Sequence, residues 1–409
     1  MNRGEAAALD RDDPLARFRD RFIVEDPKRI YADGNSLGRL PEDTIERLGR
    51  RVDEWGSRLV SAWPDWIDLP VRVGDLLADA VLGARPGEVV VSDSTTVNLY
   101  KLAAAALDRK PGALVTDAAN FPTDRYVLEG LGELVVFESD PIAGPTADDV
   151  ARACADRVVS LVCLSHVAYR SGALAEVATI TRLAHDAGSL ALWDLSHSAG
   201  VAPVKLERAG ADLAVGCTYK YLNAGPGAPA FLYVREELQE ELRSPIWGWF
   251  GQRDQFAMGP AYDPVPGIAR FLAGTPPILD LAAVEVGVEL VAEAGIDRVR
   301  KKSVALTELV VRLFDERLAP LGFELGSPRD PERRGGHVSV RHADAWRICR
   351  ALIERADVVP DFRYPDSIRF GLPPLYTRFV EAWELVDRLA RLVESREYLE
   401  VEAGTARVT

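Results

Sequence analysis

Short apolar runs alternate with longer helical patterns through the first two thirds of the chain. Seven runs of mainly aliphatic residues predict buried strands, at 88–93, 113–117, 133–138, 158–164, 189–193, 212–217 and 229–234. Stretches between several of them predict helices, at 97–108, 122–131, 147–157 and 176–187. This alternation indicates an α/β fold, in which a mainly parallel sheet is covered by helices and carries its site at the strand ends.

The pattern changes in the last third of the chain. Residues 278–320 have a long helical period, and short strands (337–342 and 367–371) and helices (343–356 and 376–397) follow. These elements predict a smaller C-terminal α+β domain. We therefore expect an N-terminal segment at 1–40, a large domain at 41–270 and a small domain at 271–409.

Composition and charge exclude several classes of partner. The net charge of −14 over 409 residues disfavours binding to nucleic acid, which needs clustered Lys and Arg. The sequence has no apolar run long enough to cross a bilayer, and its start lacks the apolar core of a signal peptide. The four cysteines and five histidines show neither disulfide nor metal-ligand spacing. We expect a cytoplasmic protein with no metal and no membrane partner.

Lys220 and Asp194 carry the strongest chemical signal. Asp194 ends one predicted strand and Lys220 follows the next, so both are expected at one edge of the sheet. A lysine amine forms a Schiff base with the aldehyde of pyridoxal 5'-phosphate (PLP), and a carboxylate keeps the pyridine nitrogen protonated. Together with the Gly/Pro-rich stretch after Lys220, the pair predicts PLP chemistry. The alternative is a surface lysine and a helix-capping aspartate.

A family resemblance extends this interpretation over most of the chain. It rests on nine blocks, which are DGNSLGRLP (33–41), DSTTVNLYKLAAAA (93–106), NFPTDRY (120–126), LSHVAYRSG (164–172), WDLSHSAG (193–200), YKYLNAGPG (219–227), GWFGQRDQFAM (248–258), AGTPPILDLA (273–282) and IRFGLPPLYTRF (368–379). In this order they resemble bacterial kynureninase, a PLP hydrolase of the aspartate aminotransferase superfamily. The resemblance implies fold type I.

The resemblance also implies which residues bind the cofactor. The expected set is Thr95, Thr96, Phe121, Asp124, Ser165, Asp194, His197, Tyr219, Lys220, Trp249 and Thr275, of which Lys220, Tyr219 and Asp194 are also expected to be catalytic. The Ser/Thr run at 94–96 also suits a phosphate by its own position, between a strand and a helix, because backbone N–H groups point outward there. An ordinary helix cap is the competing interpretation of that run.

The implied substrate-binding residues are Arg369, Asn35 and Trp63. A guanidinium binds a carboxylate through two parallel hydrogen bonds, which suits Arg369 as the clamp for an amino-acid carboxylate. Trp63 and Thr275 match positions where members that prefer 3-hydroxykynurenine have histidine and asparagine, so we expect a preference for unsubstituted kynurenine. Trp66, three residues from Trp63, is the alternative counterpart.

The resemblance implies a homodimer with shared active sites, because Trp249 and Thr275 match residues that reach the phosphate of the neighbouring subunit. Gln252 departs from the family, whose members mostly have histidine there.

The implied reaction is hydrolysis of L-kynurenine to anthranilate and L-alanine, in tryptophan catabolism and NAD biosynthesis. Alternatives are a kynureninase acting on a substituted kynurenine, a class V aminotransferase, a cysteine desulfurase and a non-catalytic ligand binder.

Overall fold

The computed structural model describes residues 1–402, and residues 403–409, the end of the predicted small domain, lie outside the described part. The α-helices are α1 (Arg3–Arg11), α2 (Glu42–Arg58), α3 (Trp63–Trp66), α4 (Leu69–Leu77), α5 (Thr95–Arg109), α6 (Pro122–Leu131), α7 (Ala147–Cys154), α8 (Val177–Asp186), α9 (Leu206–Ala209), α10 (Glu236–Gln239), α11 (Ile278–Ala294), α12 (Ile296–Leu313), α13 (Ala345–Arg355) and α14 (Phe379–Ser395).

The β-strands are β1 (Ile30–Tyr31), β2 (Val89–Val91), β3 (Ala113–Asp117), β4 (Leu134–Phe137), β5 (Val159–Ser165), β6 (Leu190–Asp194), β7 (Leu213–Gly216), β8 (Phe231–Val234), β9 (Glu324–Leu325), β10 (His337–Arg341), β11 (Val358–Val359), β12 (Asp361–Arg363) and β13 (Ser367–Gly371). All seven strands predicted for the first part of the chain are present. The helices predicted between them also form, with ends that differ by up to three residues.

The seven strands β2–β8 make one sheet in the order β2-β8-β7-β6-β5-β3-β4. The pairs from β4 to β7 are parallel. Strand β8 runs antiparallel to both β7 and β2. The expected α/β fold with a mainly parallel sheet is therefore confirmed, and β8 alone of the seven strands runs in the opposite direction.

Both faces of this sheet are buried, which explains its continuous apolar runs. Successive residues alternate between two cores: Leu161 and Cys163 point to one, and Val162 and Leu164 point to the other. Helices α5 and α6 contribute to the first core, and helices α4, α7, α8 and α11 contribute to the second. The layers are thus helix, sheet and helix, and the strand ends remain open to a site.

A second sheet lies in the C-terminal part, with the order β12-β13-β10-β9 and antiparallel pairing. Its core includes apolar residues of α12, α13 and α14, and it also takes in Ala6 and Ile30 from the N-terminal part of the chain. The long helical stretch at 278–320 divides into α11 and α12 at Gly295, whose φ of +78° suits glycine. The predicted small α+β domain thus has the expected content, and its exact bounds stay a prediction.

No helix within residues 1–402 combines the length and the apolar character that a membrane span requires.

Candidate active site

Strand ends of the large sheet form one wall of a cavity of about 210 Å³. Asp194 is the last residue of β6, and Lys220 follows β7, which lies beside β6 in parallel. The cavity is lined by Asp93, Ser94, Thr95, Thr96, Phe121, Thr123, Asp124, Asp194, Ser196, His197, Tyr219, Lys220, Gly227, Ala228 and Ala230. Eight of the residues predicted from the sequence therefore surround a single cavity.

Asp194 is held rigidly at the end of β6. Its carboxylate Oδ1 accepts a hydrogen bond from the Ser196 N–H (2.8 Å), and its carbonyl accepts one from the His166 N–H (2.9 Å). The residue is 5% exposed. These bonds fix the backbone and one carboxylate oxygen, so the carboxylate is presented to the cavity in a defined orientation.

A second carboxyl group, that of Asp124 near the start of α6, lies close to Asp194. Its Oδ2 is buried and has no hydrogen-bond partner among the described residues. Burial, and then the charge of Asp194, raise the pKa of Asp124 well above its usual range, while the charge of Lys220 acts in the opposite direction. A polar group from a bound molecule would therefore satisfy Asp124.

Lys220 and His197 meet on the floor of the cavity, where Lys220 Nζ lies 3.3 Å from His197 Nε2. Burial, and then the charge of Lys220, lower the pKa of His197 well below its usual range, so its imidazole is neutral near pH 7. The buried ring of His337, whose centroid lies 5.8 Å from that of His197, is next to it. Neither ring nitrogen of His337 has a partner among the described residues.

Helix α5 begins at the opposite wall with Thr95. The Ser94 hydroxyl caps this helix by accepting from the Val97 N–H (3.3 Å), and Asp93 before it has a φ of +49°. The N–H groups at the helix start, together with the hydroxyls of Thr95 and Thr96, can bind an anion. Capping and anion binding are thus compatible here.

Tyr219 precedes Lys220 and is half-buried. The neighbouring Cys217 thiol, and then burial, raise the pKa of Tyr219, so its hydroxyl keeps its proton and can donate a hydrogen bond into the cavity.

Phe121, immediately before α6, packs edge-on against Tyr169 with ring centroids 5.3 Å apart. Its ring remains 39% exposed and faces the cavity.

Arg369 lies on β13, almost completely buried, at 1% exposure. Its Nε donates to Asp361 Oδ2 (2.6 Å), its Nη1 donates to the Tyr169 carbonyl, and its Nη2 is 3.3 Å from Ser36 Oγ. The charges of Arg369 and Lys220 both act on Asp33 and on His197. The arginine and the lysine therefore belong to the same electrostatic environment, although they come from different sheets.

The loop at 33–38 connects these two parts of the site. Asp33 pairs with Gly371 beside Arg369, and the Gly38 N–H donates to the Tyr219 carbonyl (2.8 Å) next to Lys220. Asn35 is fully buried against Gly371, and its side-chain atoms have no partner among the described residues. The structure thus places Asn35 near Arg369, the residue predicted to bind the substrate carboxylate.

Six predicted residues do not line the cavity: Arg369 and Asn35, described above, and the four that follow. Ser165, at the end of β5 beside Asp194, donates to Asn120 Oδ1 (2.6 Å). Trp249 and Thr275 are exposed, and the half-buried Trp63 packs against Trp66 and Phe250 with centroids 5.9 and 6.2 Å away.

The sequence interpretation also left out residues that the structure brings to the site. These are Ser36, Asp93, Thr123, Tyr169, Ser196, His337 and Asp361. Several of them lie inside or beside the quoted motifs, but no spacing in the sequence connects Asp361 to Arg369.

The residues around the cavity fit PLP. The helix start at Thr95 suits the phosphate, Asp194 suits the pyridine nitrogen, and Lys220 suits the aldehyde. Phe121 offers an aromatic face to the ring. The partnerless oxygen of Asp124 indicates that the cavity is built for a polar molecule.

Solved structures share this fold. A cysteine desulfurase from Thermococcus onnurineus superposes with a TM-score of 0.77 at 20% identity, covering 95% of this chain and 98% of that one. An alanine–glyoxylate aminotransferase from Nostoc superposes with a TM-score of 0.72 at 17% identity, covering 90% and 96%. This likeness confirms the expected fold, fold type I, and the residues around the cavity fit the expected cofactor, PLP.

Two sequence relatives narrow the class. The kynureninase of Pseudomonas fluorescens is 42% identical over 409 residues, covering 98% of this chain and 97% of that protein. The kynureninase of Burkholderia pseudomallei strain K96243 is also 42% identical, with 98% of each chain covered. A family model described as the kynureninase C-terminal domain matches residues 299–389. The chain belongs to the kynureninase family.

Proposed function

We propose that the protein hydrolyses L-kynurenine to anthranilate and L-alanine. One water is consumed and the Cβ–Cγ bond of the side chain breaks. The observation that carries this proposal is the placement of Lys220, Asp194 and a buried arginine in one electrostatic environment, in a chain of the kynureninase family. In this proposal, the amino group of the substrate lies toward Lys220 and its carboxylate toward Arg369.

The proposed catalytic roles follow from the positions of the side chains. Bound PLP supplies an electron-accepting ring. Asp194 holds a proton at the pyridine nitrogen, and Lys220 removes the proton from the substrate Cα. Tyr219 keeps its proton, which suits a hydrogen bond to the phosphate and a proton donor during the reaction.

Other residues have proposed binding roles. Thr95 and Thr96 bind the phosphate and Phe121 stacks on the ring, while Asp124, Ser165 and His197 support the cofactor's polar edge. Arg369 binds the substrate carboxylate, with Asn35 beside it. The cavity lining supports the cofactor roles except that of Ser165, whose support is its place beside Asp194 in the sheet. The burial of Asn35 and Arg369 supports the substrate roles.

A direct assay tests the function. The purified protein, loaded with PLP, should convert kynurenine to equimolar anthranilate and alanine, measured by anthranilate fluorescence and amino-acid analysis. Equal turnover of an amino donor and a keto acid, without anthranilate, would instead support an aminotransferase.

The cysteine desulfurase alternative is disfavoured by the cysteines. A desulfurase needs an accessible, reactive thiol, whereas all four cysteines, at positions 154, 163, 217 and 349, are buried. Burial raises the pKa of Cys217, the cysteine nearest to Lys220 in sequence. Buried, reduced thiols also suit the cytoplasmic location that is part of this proposal.

We also propose a homodimer in which Trp249 and Thr275 complete the phosphate site of the neighbouring subunit. The segment around Trp249 exposes large apolar side chains, with Phe256 and Met258 each 71% exposed. Such a concentration favours burial against another chain. The other partner that we propose is the small-molecule substrate, kynurenine.

A complementation experiment tests the shared site. Lys220→Ala and Trp249→Ala subunits should each be weakly active. Mixed and reassembled, they should regain activity, because a heterodimer pairs an intact lysine with an intact tryptophan. Leu399→Ala, at another exposed apolar position (46%), serves as the control and should be fully active alone. An active monomer in sedimentation would contradict the proposal.

Substrate preference is a further part of the proposal: unsubstituted kynurenine should be preferred over 3-hydroxykynurenine. Trp66 is buried, and its indole N–H donates to Glu54 (3.0 Å), whereas Trp63 is half-buried beside Phe250. This difference favours Trp63 as the residue that limits space for the substrate ring.

A further inference from the structure

Asp361 is the principal partner of the buried Arg369. Strands β12 and β13 pair antiparallel, and their register sets Asp361 directly opposite Arg369. Both residues are buried, at 0% and 1% exposure. One carboxylate oxygen, Oδ2, accepts from Arg369 Nε at 2.6 Å and from Nη2 as well.

This contact occupies one edge of the guanidinium. A guanidinium has two edges that suit a carboxylate: the side formed by Nε and one Nη, and the end formed by the two Nη groups. Asp361 contacts the side. Nη1 donates to the Tyr169 carbonyl, and Nη2 also donates to Ser36 Oγ at 3.3 Å, while the Ser36 hydroxyl donates to Asp361 Oδ2 at 3.4 Å. The Ser36 hydroxyl is the adaptable partner because it can rotate away.

The surrounding charges favour a second carboxylate. Arg363 Nη2 lies 3.1 Å from the same Asp361 oxygen, so two guanidinium groups share one carboxylate. Around Asp361 itself, the two guanidinium groups therefore carry one more positive charge than its carboxylate neutralises.

We propose that Asp361 is a positioning residue, which holds the side edge of Arg369 so that its end edge meets the substrate α-carboxylate. The inference rests on the proposed function, because that function supplies the amino-acid substrate. Asp361 does not touch the reacting atoms. It sets the plane and direction of the group that binds the substrate.

Ligand binding to the PLP-loaded protein tests this role without turnover. L-Alanine, the proposed product, carries the carboxylate, and ethylamine is the same amine without it. Both are titrated by the change in visible absorbance. Asp361→Asn should raise the Kd for L-alanine by about ten- to a hundredfold, the cost of a disturbed charge-assisted hydrogen bond. The Kd for ethylamine should not change.

Asp366→Asn is the matched control. Asp366 lies between β12 and β13 and pairs with Arg341 (2.8 Å) instead of Arg369. This variant should bind both ligands as wild type does. With kynurenine, Asp361→Asn should raise KM much more than it lowers kcat.

The outcomes separate a positioning role from a structural one. If Asp361→Asn weakens alanine and ethylamine equally, or neither, the proposal is overturned. If that variant does not fold, Asp361→Glu keeps the charge but displaces the guanidinium, and should show the same selective loss of alanine binding. A wild type that binds alanine but does not cleave kynurenine would disprove the proposed function alone.

Discussion

Lys220 Nζ lies 3.3 Å from His197 Nε2, at the junction of the turns that follow β6 and β7. The pKa of His197 is held well below its usual range by burial and by the lysine charge, so the imidazole is a neutral neighbour. A neutral imidazole can share a hydrogen bond with an amine, so His197 can fix the position of the lysine side chain beside the cavity.

Lys220→Ala should remove the lysine that binds the cofactor. Purified wild-type protein should be yellow, and the variant should lack the absorption band of the lysine-bound cofactor. Turnover should fall by roughly 10²–10⁴-fold or more, because the proton-transfer group is also lost. Spectra and anthranilate release check this result. Lys301→Ala, at an exposed position on α12, should behave as wild type. Normal turnover in Lys220→Ala would contradict the assignment.

Asp194→Asn should keep some cofactor and lose most activity. A neutral amide cannot hold the proton at the pyridine nitrogen, and loss of one such electrostatic partner costs about 10²–10³-fold in kcat. The measurements are kcat and the cofactor content of the dialysed protein.

Asp117 provides the control for Asp194. It also ends a strand, β3, and is buried, but its carboxylate bonds to Ser139 Oγ (2.7 Å) outside the cavity. Asp117→Asn should change stability without a comparable loss of kcat in the folded fraction. Near-normal turnover of Asp194→Asn would rule out its proposed role.

Asp124→Asn should stabilise the cofactor-free protein in a pH-dependent way. The folded-state pKa of Asp124 is raised, so its contribution to stability is present below the usual pKa of about 3.9 and is lost as pH rises. Asparagine has no charge at any of these pH values, so its contribution to stability does not fall as the pH rises. The difference in Tm between the variant and wild type should therefore grow in favour of the variant as the pH rises above about 4.

Asp140→Asn is a control in which the pH dependence of the Tm difference should run in the opposite direction. The N–H groups of Ala143 and Ile142 lower the pKa of Asp140, so its stabilising contribution is present above the usual pKa and lost on acidification. This substitution should lower the Tm more at pH 8 than at pH 4. A Tm difference for Asp124→Asn that stays constant with pH would show that its carboxyl is not the cause.

Trp63 should limit the ring pocket. If the 3-hydroxyl lacks a hydrogen-bond partner there, the cost of about 1–3 kcal/mol corresponds to roughly a ten- to hundredfold lower kcat/KM for 3-hydroxykynurenine. Trp63→His should reduce this preference by supplying a smaller, polar ring. Trp66→Phe, which removes only the bond to Glu54, should leave the ratio unchanged. Equal kcat/KM for the two substrates in wild type would contradict the prediction.

Much of the large sheet could be predicted from the sequence, because strands buried on both faces are continuously apolar and end at polar residues such as Asp194. The direction of β8 could not be predicted. A run such as 229–234 is equally apolar in a parallel or an antiparallel strand, and only the path of the preceding loop decides. The break at Gly295 was likewise hidden inside a continuous helical pattern.

The site was predictable to the extent that its residues follow strands or lie in the matched motifs. Asp361 was not, because its significance depends on the register of β12 against β13. His337 was missed for a related reason: a histidine in a short strand carries no sign that its ring will approach His197. Contacts between the two sheets join residues that are far apart in the sequence. The spacing of hydrophobic positions along the chain therefore does not indicate them.

The loop from Asp33 to Gly38 has a consequence for evolution. It contacts Gly371 at one end, Arg369 through Ser36, and the backbone of Tyr219 at the other end, and Gly38 has no room for a Cβ beside the Lys220 carbonyl. A single inserted or deleted residue would change the span between the anchoring arginine and the reactive amine, even with both side chains intact. The number of residues in this segment therefore helps to set the distance between Arg369 and Lys220, and a change in that number should alter which length of substrate can reach both.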